Sequence, residues 1–346
     1  MAEIAREVGG LLERNERYAA LRYAMAASDQ LLRTPSDALR IDLRERVFKQ
    51  ISARGVYYQA DDFESVDYGQ YELAADLPMF RGPSIEEAVL ESGDYFCVMG
   101  AAQTFGRLVR RPWPVLLGET LGLPALNLSS GGAGPEFFLN PKLIQLACGA
   151  RFVVLQVMSG RSVGCEDYPG GARITNEGKR TNVNRMQVLK GLWEKDPAIA
   201  LKYVRRWNES YLALYRELRA LIDRPILLLW ISNRSPDAWK PERLLNKPQM
   251  GSFPQLVGRK LYESVAALFD ARFEHLTGPS NEQPLSRITG EPCPFLGFRG
   301  KDFQTEITYY PSSADNALLA ESLAPLARDM LRTSGRVRGR IRAHRP

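Results

Sequence analysis

The chain of 346 residues carries 46 basic and 40 acidic side chains, a formal net charge of +6. Apolar residues make up 45% and charged residues 25%, the proportions of a globular protein with a buried core, which excludes disorder and fibrous repeats as the governing state. The length exceeds one common domain, but α/β folds of about 250 residues are frequent as single units, so one main domain with extensions is expected.

The excess charge is local. Residues 332–346, RTSGRVRGRIRAHRP, hold six arginines and no acid, so the other residues balance at 40 bases and 40 acids. Self-repulsion and low apolar content predict a disordered basic tail. It suits an anionic polymer, a membrane surface, an acidic partner or plain solvent, and nucleic acid has no support beyond it. No run of about 18 apolar residues is present to span a membrane. The first residues, MAEIARE, lack the apolar centre of a secretory leader, so a cytoplasmic location is expected. Cys97, Cys148, Cys165 and Cys293 show no Cys-x-x-Cys spacing, which predicts neither a zinc site nor a disulfide framework.

Apolar residues three and four apart predict helices over 4–27 and 37–54, the second started by Ser36 behind Pro35. Residues 1–55 therefore read as a helical arm, whose apolar faces pack either on the chain's own body or on another copy in a homo-oligomer. Residues 56–93 form a connecting segment dense in aromatics and acids. Its rings either stack on a sugar or anchor a loop to the core.

From residue 94 the pattern alternates. Strands are expected over 95–99, 125–128, 152–158, 225–231 and 272–276, and helices over 112–121, 135–148, 197–223, 253–269 and 314–332. The fold class that follows is α/β, with a doubly wound, mostly parallel five-stranded sheet over 94–331 and a helical N-terminal extension. Ligands of such sheets bind where loops leave the C-terminal strand ends. Two insertions, 163–184 and 233–252, are expected to cap that edge, the second with Trp239 and Lys240.

Three stretches at that edge carry a pattern. They are Gly100-Ala101-Ala102-Gln103-Thr104-Phe105-Gly106, Asn127-Leu128-Ser129-Ser130 followed by the turn Gly131-Gly132-Ala133-Gly134, and Ser159-Gly160-Arg161-Ser162. Their order and glycine framework resemble the SGNH/GDSL hydrolase superfamily, in particular a divergent bacterial branch of it. The resemblance implies the fold and departs from the family's chemistry. Ala102 stands at the nucleophilic serine, and in Ile307-Thr308-Tyr309-Tyr310-Pro311 the residues Ile307 and Tyr310 stand at the aspartate and histidine. The chain has only two histidines, His275 and His344. A serine nucleophile needs a neighbouring base, so ordinary serine esterase activity is not expected.

The candidate ligand-binding residues are Gly100, Gln103, Thr104, Ser130, Gly132, Ser159, Gly160, Arg161 and Ser162. Arg161 either holds an anion through paired hydrogen bonds or meets a surface acid. The 131–134 turn either cradles an anion or simply needs glycine's freedom. No phosphate loop and no dinucleotide fingerprint is present, and no cofactor or metal is expected. Two functions are compatible with this pattern. One is a non-hydrolytic protein that binds a carbohydrate or small anionic ligand, accessory to polysaccharide biosynthesis or modification. The other is a glycan-directed group transferase, acyl or similar, that works by positioning and charge stabilisation without a triad.

Overall fold

Two helices, α1 (Ala2–Glu13) and α2 (Arg17–Leu31), open the chain where one was expected over 4–27. Asn15 between them adopts φ 61°, a left-handed conformation that asparagine tolerates better than most residues. Helix α3 (Asp37–Leu43) starts at Ser36, whose Oγ accepts from the Leu39 N–H at 3.2 Å. A π-turn over Arg44–Phe48 then interrupts the expected helix before α4 (Lys49–Ala53). The computed structural model describes residues 1–53, 59–74, 76–164, 173–174, 180–181, 185–278, 280–296 and 303–342.

The remaining helices are α5 (Glu87–Ser92), α6 (Ala102–Phe105), α7 (Trp113–Leu121), α8 (Pro141–Gly149), α9 (Arg185–Lys195), α10 (Pro197–Leu221), α11 (Arg259–Ala266) and α12 (Ser313–Arg342). The chain forms two compact units. One comprises Met1–Ser84, Gly106–Pro112 and Pro279–Ala314, and the other Ile85–Phe105, Trp113–Gly278 and Asp315–Pro346. This division differs from the expected sequence of arm, connector and domain. Residues 1–53 do not stand apart from the segment that follows them. Val8, Leu12, Leu21, Met25, Phe48 and Ile51 are buried in one cluster with Phe63 and Met79. The apolar stripes of the arm are thus covered within the unit itself. Phe63, Tyr68 and Phe80 of the aromatic segment are also buried, as anchors rather than exposed sugar platforms.

The second unit is built on five parallel strands, β1 (Phe96–Met99), β2 (Ala125–Asn127), β3 (Val153–Gln156), β4 (Ile226–Ser232) and β5 (Ala271–Leu276), in the order β2-β1-β3-β4-β5. It is an α/β fold. Strands β1 to β4 are buried throughout because both faces are covered. Phe96, Val98, Val154, Leu227 and Leu229 pack towards α7 and α12 on one face. On the other, Trp230 meets Tyr262 of α11 edge to face at 5.3 Å. Strand order reverses between β1 and β3. That reversal is the switch point at which open α/β sheets leave a crevice outside the strand ends.

Three expected helices end differently. The helix expected over 135–148 is a 3₁₀ turn, Pro135–Leu139, followed by α8, with Asn140 capping Lys142 N at 2.9 Å. The one expected over 253–269 shrinks to α11. Pro254 offers no N–H, Leu256 sits at φ 66°, and Gly258 packs so tightly that a Cβ there would lie 2.4 Å from the Trp239 carbonyl oxygen. Helix α12 runs to Arg342, past the end expected at Arg332 and into the arginine-rich stretch. No proline interrupts that stretch before Pro346. Among the described residues, no helix is long and apolar enough to cross a membrane.

Candidate functional site

Four loops meet at the C-terminal ends of β1, β2, β3 and β4, joined by hydrogen bonds and close contacts. Ser130 N donates to the Gly100 carbonyl at 3.1 Å, tying the loop after β2 to the loop after β1. Ala101 N donates to Gln156 Oε1 at 2.8 Å, tying the β1 loop to the end of β3. Gly160 N donates to the Gln255 carbonyl at 2.8 Å, and Ser159 Oγ to Gln255 Oε1 at 2.7 Å, tying the β3 loop to 253–257. A Cβ at Gly134 would lie 2.9 Å from Ser162 Cβ, so the loops after β2 and β3 also touch.

Small residues are required where the loops cross. A Cβ at Gly100 would fall 2.5 Å from Gln156 Oε1 and 2.8 Å from Thr104 Oγ1. Gly132 takes φ 83°, in the region that favours glycine. Ser159 starts a 3₁₀ turn, Gly160–Ser162, with its Oγ accepting from Arg161 N at 3.2 Å. Arg161 therefore leaves the end of β3 half-buried, while Ser159 and Ser162 are buried.

Several polar groups of this edge have no hydrogen-bond partner among the described residues. Gln156 accepts from Ala101 N, which leaves its Nε2 facing Gln103 Oε1 at 3.5 Å. Asn127 Nδ2 donates to the Thr104 carbonyl at 3.2 Å, and its Oδ1 accepts from Ser129 N at 3.1 Å. The hydroxyls of Thr104, Ser129 and Ser130 are buried and make no hydrogen bond among the described residues. A buried polar group without a partner costs about 1–3 kcal/mol. Three at one sheet edge mark a place where the fold gives up stability.

The frame around these groups is stiff. Tyr211 Oη donates to the Met158 carbonyl at 2.7 Å, and Tyr215 Oη accepts from Met158 N at 3.0 Å while donating to the Gln156 carbonyl at 3.1 Å. Burial pushes both phenols above their usual range. On the β4 side, Arg234 donates to the carbonyls of Ser252, Ser235, Pro254 and Val257, and Ser232 Oγ to that of Phe253 at 2.6 Å. Burial lowers the Arg234 guanidinium to about 10, still charged at neutral pH.

The structure brings Gly100, Gln103, Thr104, Ser130, Ser159, Gly160 and Ser162 to this edge, with Gly132 in the turn and Arg161 beside it. The expected cap is corrected in part. Trp239 is 2% exposed and packs with Leu189, Val204, Trp207 and Leu256, because Gly251 and Gly258 close on its ring and backbone. A ring buried in this way has no face to offer a ligand. Lys240 is exposed. Most of the other expected cap, 163–184, lies outside the described residues, as does Cys165. Cys97, Cys148 and Cys293 are free thiols, and no cluster able to hold a metal occurs among the described residues.

Gln156 and Gln255 were missed in the sequence. A polar residue closing the otherwise apolar strand VVLQ was the available signal for the first. Gln255 had none, since its loop reads as helix.

Ala102 lies in α6 and is 9% exposed. Ile307 and Tyr310 belong to the other unit, where Ile307 is buried and its N–H donates to the Glu282 carbonyl at 2.8 Å. Tyr310 Oη accepts from Arg107 Nη1 at 3.1 Å. Arg107 in turn grips Asp62, which also accepts from Tyr68 Oη at 2.7 Å. Nearby, Arg81 donates to the carbonyls of Gly106, Val109 and Arg110, and burial lowers its guanidinium to about 10.

A family model described as a domain of unknown function, DUF6473, matches residues 57–168. No curated protein matches the chain. Among solved structures, the chain is similar to phospholipase A1 from Streptomyces albidoflavus, at 12% identity over 69% of this chain and 99% of that one, with a TM-score of 0.36. It is similar to a carbohydrate esterase family 2 enzyme with a carbohydrate-binding domain from Corynascus thermopiles, at 10% identity over 73% and 69%, TM-score 0.36. An acetyl xylan esterase from Butyrivibrio proteoclasticus is 12% identical over 73% and 66%, TM-score 0.30. All three likenesses are distant.

Proposed function

We propose that the chain is a non-hydrolytic protein of SGNH-like fold that holds a carbohydrate or small anionic group at the strand-end edge, as an accessory to polysaccharide biosynthesis or modification. The observation that carries this reading is the combination at one edge of a methyl group, Ala102, at the position of the nucleophile and the hydroxyls of Thr104, Ser129 and Ser130, which have no hydrogen-bond partner among the described residues. A methyl cannot attack a carbonyl. Tyr310, at the position of the base, accepts a hydrogen bond from a guanidinium, which suits a structural phenol rather than a proton acceptor. Arg161 is the proposed anion anchor.

The test pairs turnover with binding. Intact protein should hydrolyse p-nitrophenyl acetate no faster than denatured protein, and should bind acidic oligosaccharides in calorimetry. Robust hydrolysis abolished by Ser129→Ala or Ser130→Ala would sink the proposal and place a working nucleophile after β2.

A further inference from the structure

Helices α7 and α12 of the second unit leave an open groove of about 410 Å3 between them. Leu116 and Thr120 form its α7 wall, and Ala320 and Ala324, 2% and 4% exposed, form its floor. The Thr120 hydroxyl is already used, donating to the Leu116 carbonyl at 2.9 Å, which leaves wall and floor apolar in character. None of the strand-end residues described above lines this groove.

The charged residues of the lining are Glu119 on α7 and Glu321 and Arg328 on α12. Glu321 and Arg328 are exposed, and neither side chain has a hydrogen bond or ion pair among the described residues. They stand seven residues apart on one helix, about 10.5 Å along its axis. Helix side chains pair at three or four residues, so these two opposite charges do not neutralise each other. Seven residues are nearly two full turns, which puts both on one stripe, within about 20° of each other. The midpoint of that stripe falls between Ala324 and Pro325, whose short side chains let a second helix axis come close.

We propose that this groove is a homodimer interface, filled by α12 of a second copy running antiparallel across a two-fold axis at the Ala324–Pro325 midpoint. In a two-fold contact, residue i of one copy meets residue j of the other, and j meets i. Glu321 of each copy then meets Arg328 of the other, so one unpaired stripe supplies two ion pairs. A parallel, in-register pairing sets glutamate against glutamate and arginine against arginine, which charge repulsion excludes. The oligomer contact therefore lies on α12 and α7 and not on the N-terminal helices, whose apolar stripes are covered within their own unit.

The experiment is sedimentation velocity of the full chain over a concentration series, in which the mass should rise from one chain to two. Arg328→Glu sets two glutamates against each other at both pairs, and should weaken self-association at least about tenfold. Glu321→Arg should do the same with two arginines. Mixing these two single variants makes every facing pair complementary again and should restore a dimer, a recovery that misfolded protein does not give. The doubly reversed chain, Glu321→Arg with Arg328→Glu, should dimerise by itself. Ala317→Arg crowds the exposed margin of the groove and is an independent arm should a charge variant fail to fold; it too should favour the monomer. A parent that stays monomeric at every concentration, leaving the groove to a different protein, overturns the proposal. So does a dimer indifferent to the single reversals, or one that neither the mixture nor the double reversal recovers.

Discussion

Arg107 grips Asp62 through both carboxylate oxygens, at 2.9 and 3.0 Å, with their side chains 2% and 0% exposed. The pair is completed by Tyr68, which donates to Asp62, and by Tyr310, which accepts from Arg107. Removing one member strands the other charge in the interior. Arg107→Ala should therefore cost about 3–5 kcal/mol of unfolding free energy, read from urea denaturation. A double replacement by apolar residues, Asp62→Leu with Arg107→Met, should recover much of that loss. A single-variant cost below about 1 kcal/mol would mean that water reaches the pair.

Trp239 separates a core role from a capping role. As a core residue, Trp239→Ala should cost about 3–5 kcal/mol, with thermal unfolding as the readout. If stability is unchanged while ligand affinity falls, the indole faces a ligand after all.

Arg161→Ala tests the opposite pattern. A charged hydrogen bond contributes about 1.5–3 kcal/mol, so an acidic glycan should bind correspondingly more weakly while the melting temperature hardly moves. A large stability loss with no change in binding would make Arg161 a structural partner of its neighbours.

His275 supplies a pH signature. Its Nε2 is buried in β5 without a hydrogen-bond partner among the described residues, and burial holds the imidazole below its usual range, with Asp315 opposing in part. The unfolded chain then binds the proton more readily than the folded one. Stability is complete above the unfolded value of about 6.5 and is lost as pH falls from there through the lower folded value. Urea midpoints at pH 7.5 and 5.0 should show a smaller acid-side loss for His275→Leu than for the parent. Equal losses in the two proteins would refute the assignment.

The strand pattern was legible before any coordinates. Short apolar runs at 95–99, 125–128, 152–158 and 225–231 read as strands buried on both faces, the more polar RFEHL at 272–276 reads as a fifth, and all five pair in parallel. Ser36 as a helix start was equally readable, because a cap is a local bond between a side chain and a backbone three residues on. Breaks at Asn15, at the Arg44–Phe48 turn and at Leu256 were not, since each is a backbone torsion or hydrogen-bond shift imposed by packing.

The sequence by itself determined that position 102 carries a methyl group and no hydroxyl. That is a matter of covalent identity, which no fold alters. Only the tertiary structure decided what surrounds that position. Gln156 comes to Ala101 across the β1–β3 pairing, Gln255 comes to Ser159 from nearly a hundred residues away, and Trp239 turns inward because two glycines let the chain close on it. Those relations depend on strand order and on the space left by absent side chains, quantities that exist only once the chain is folded.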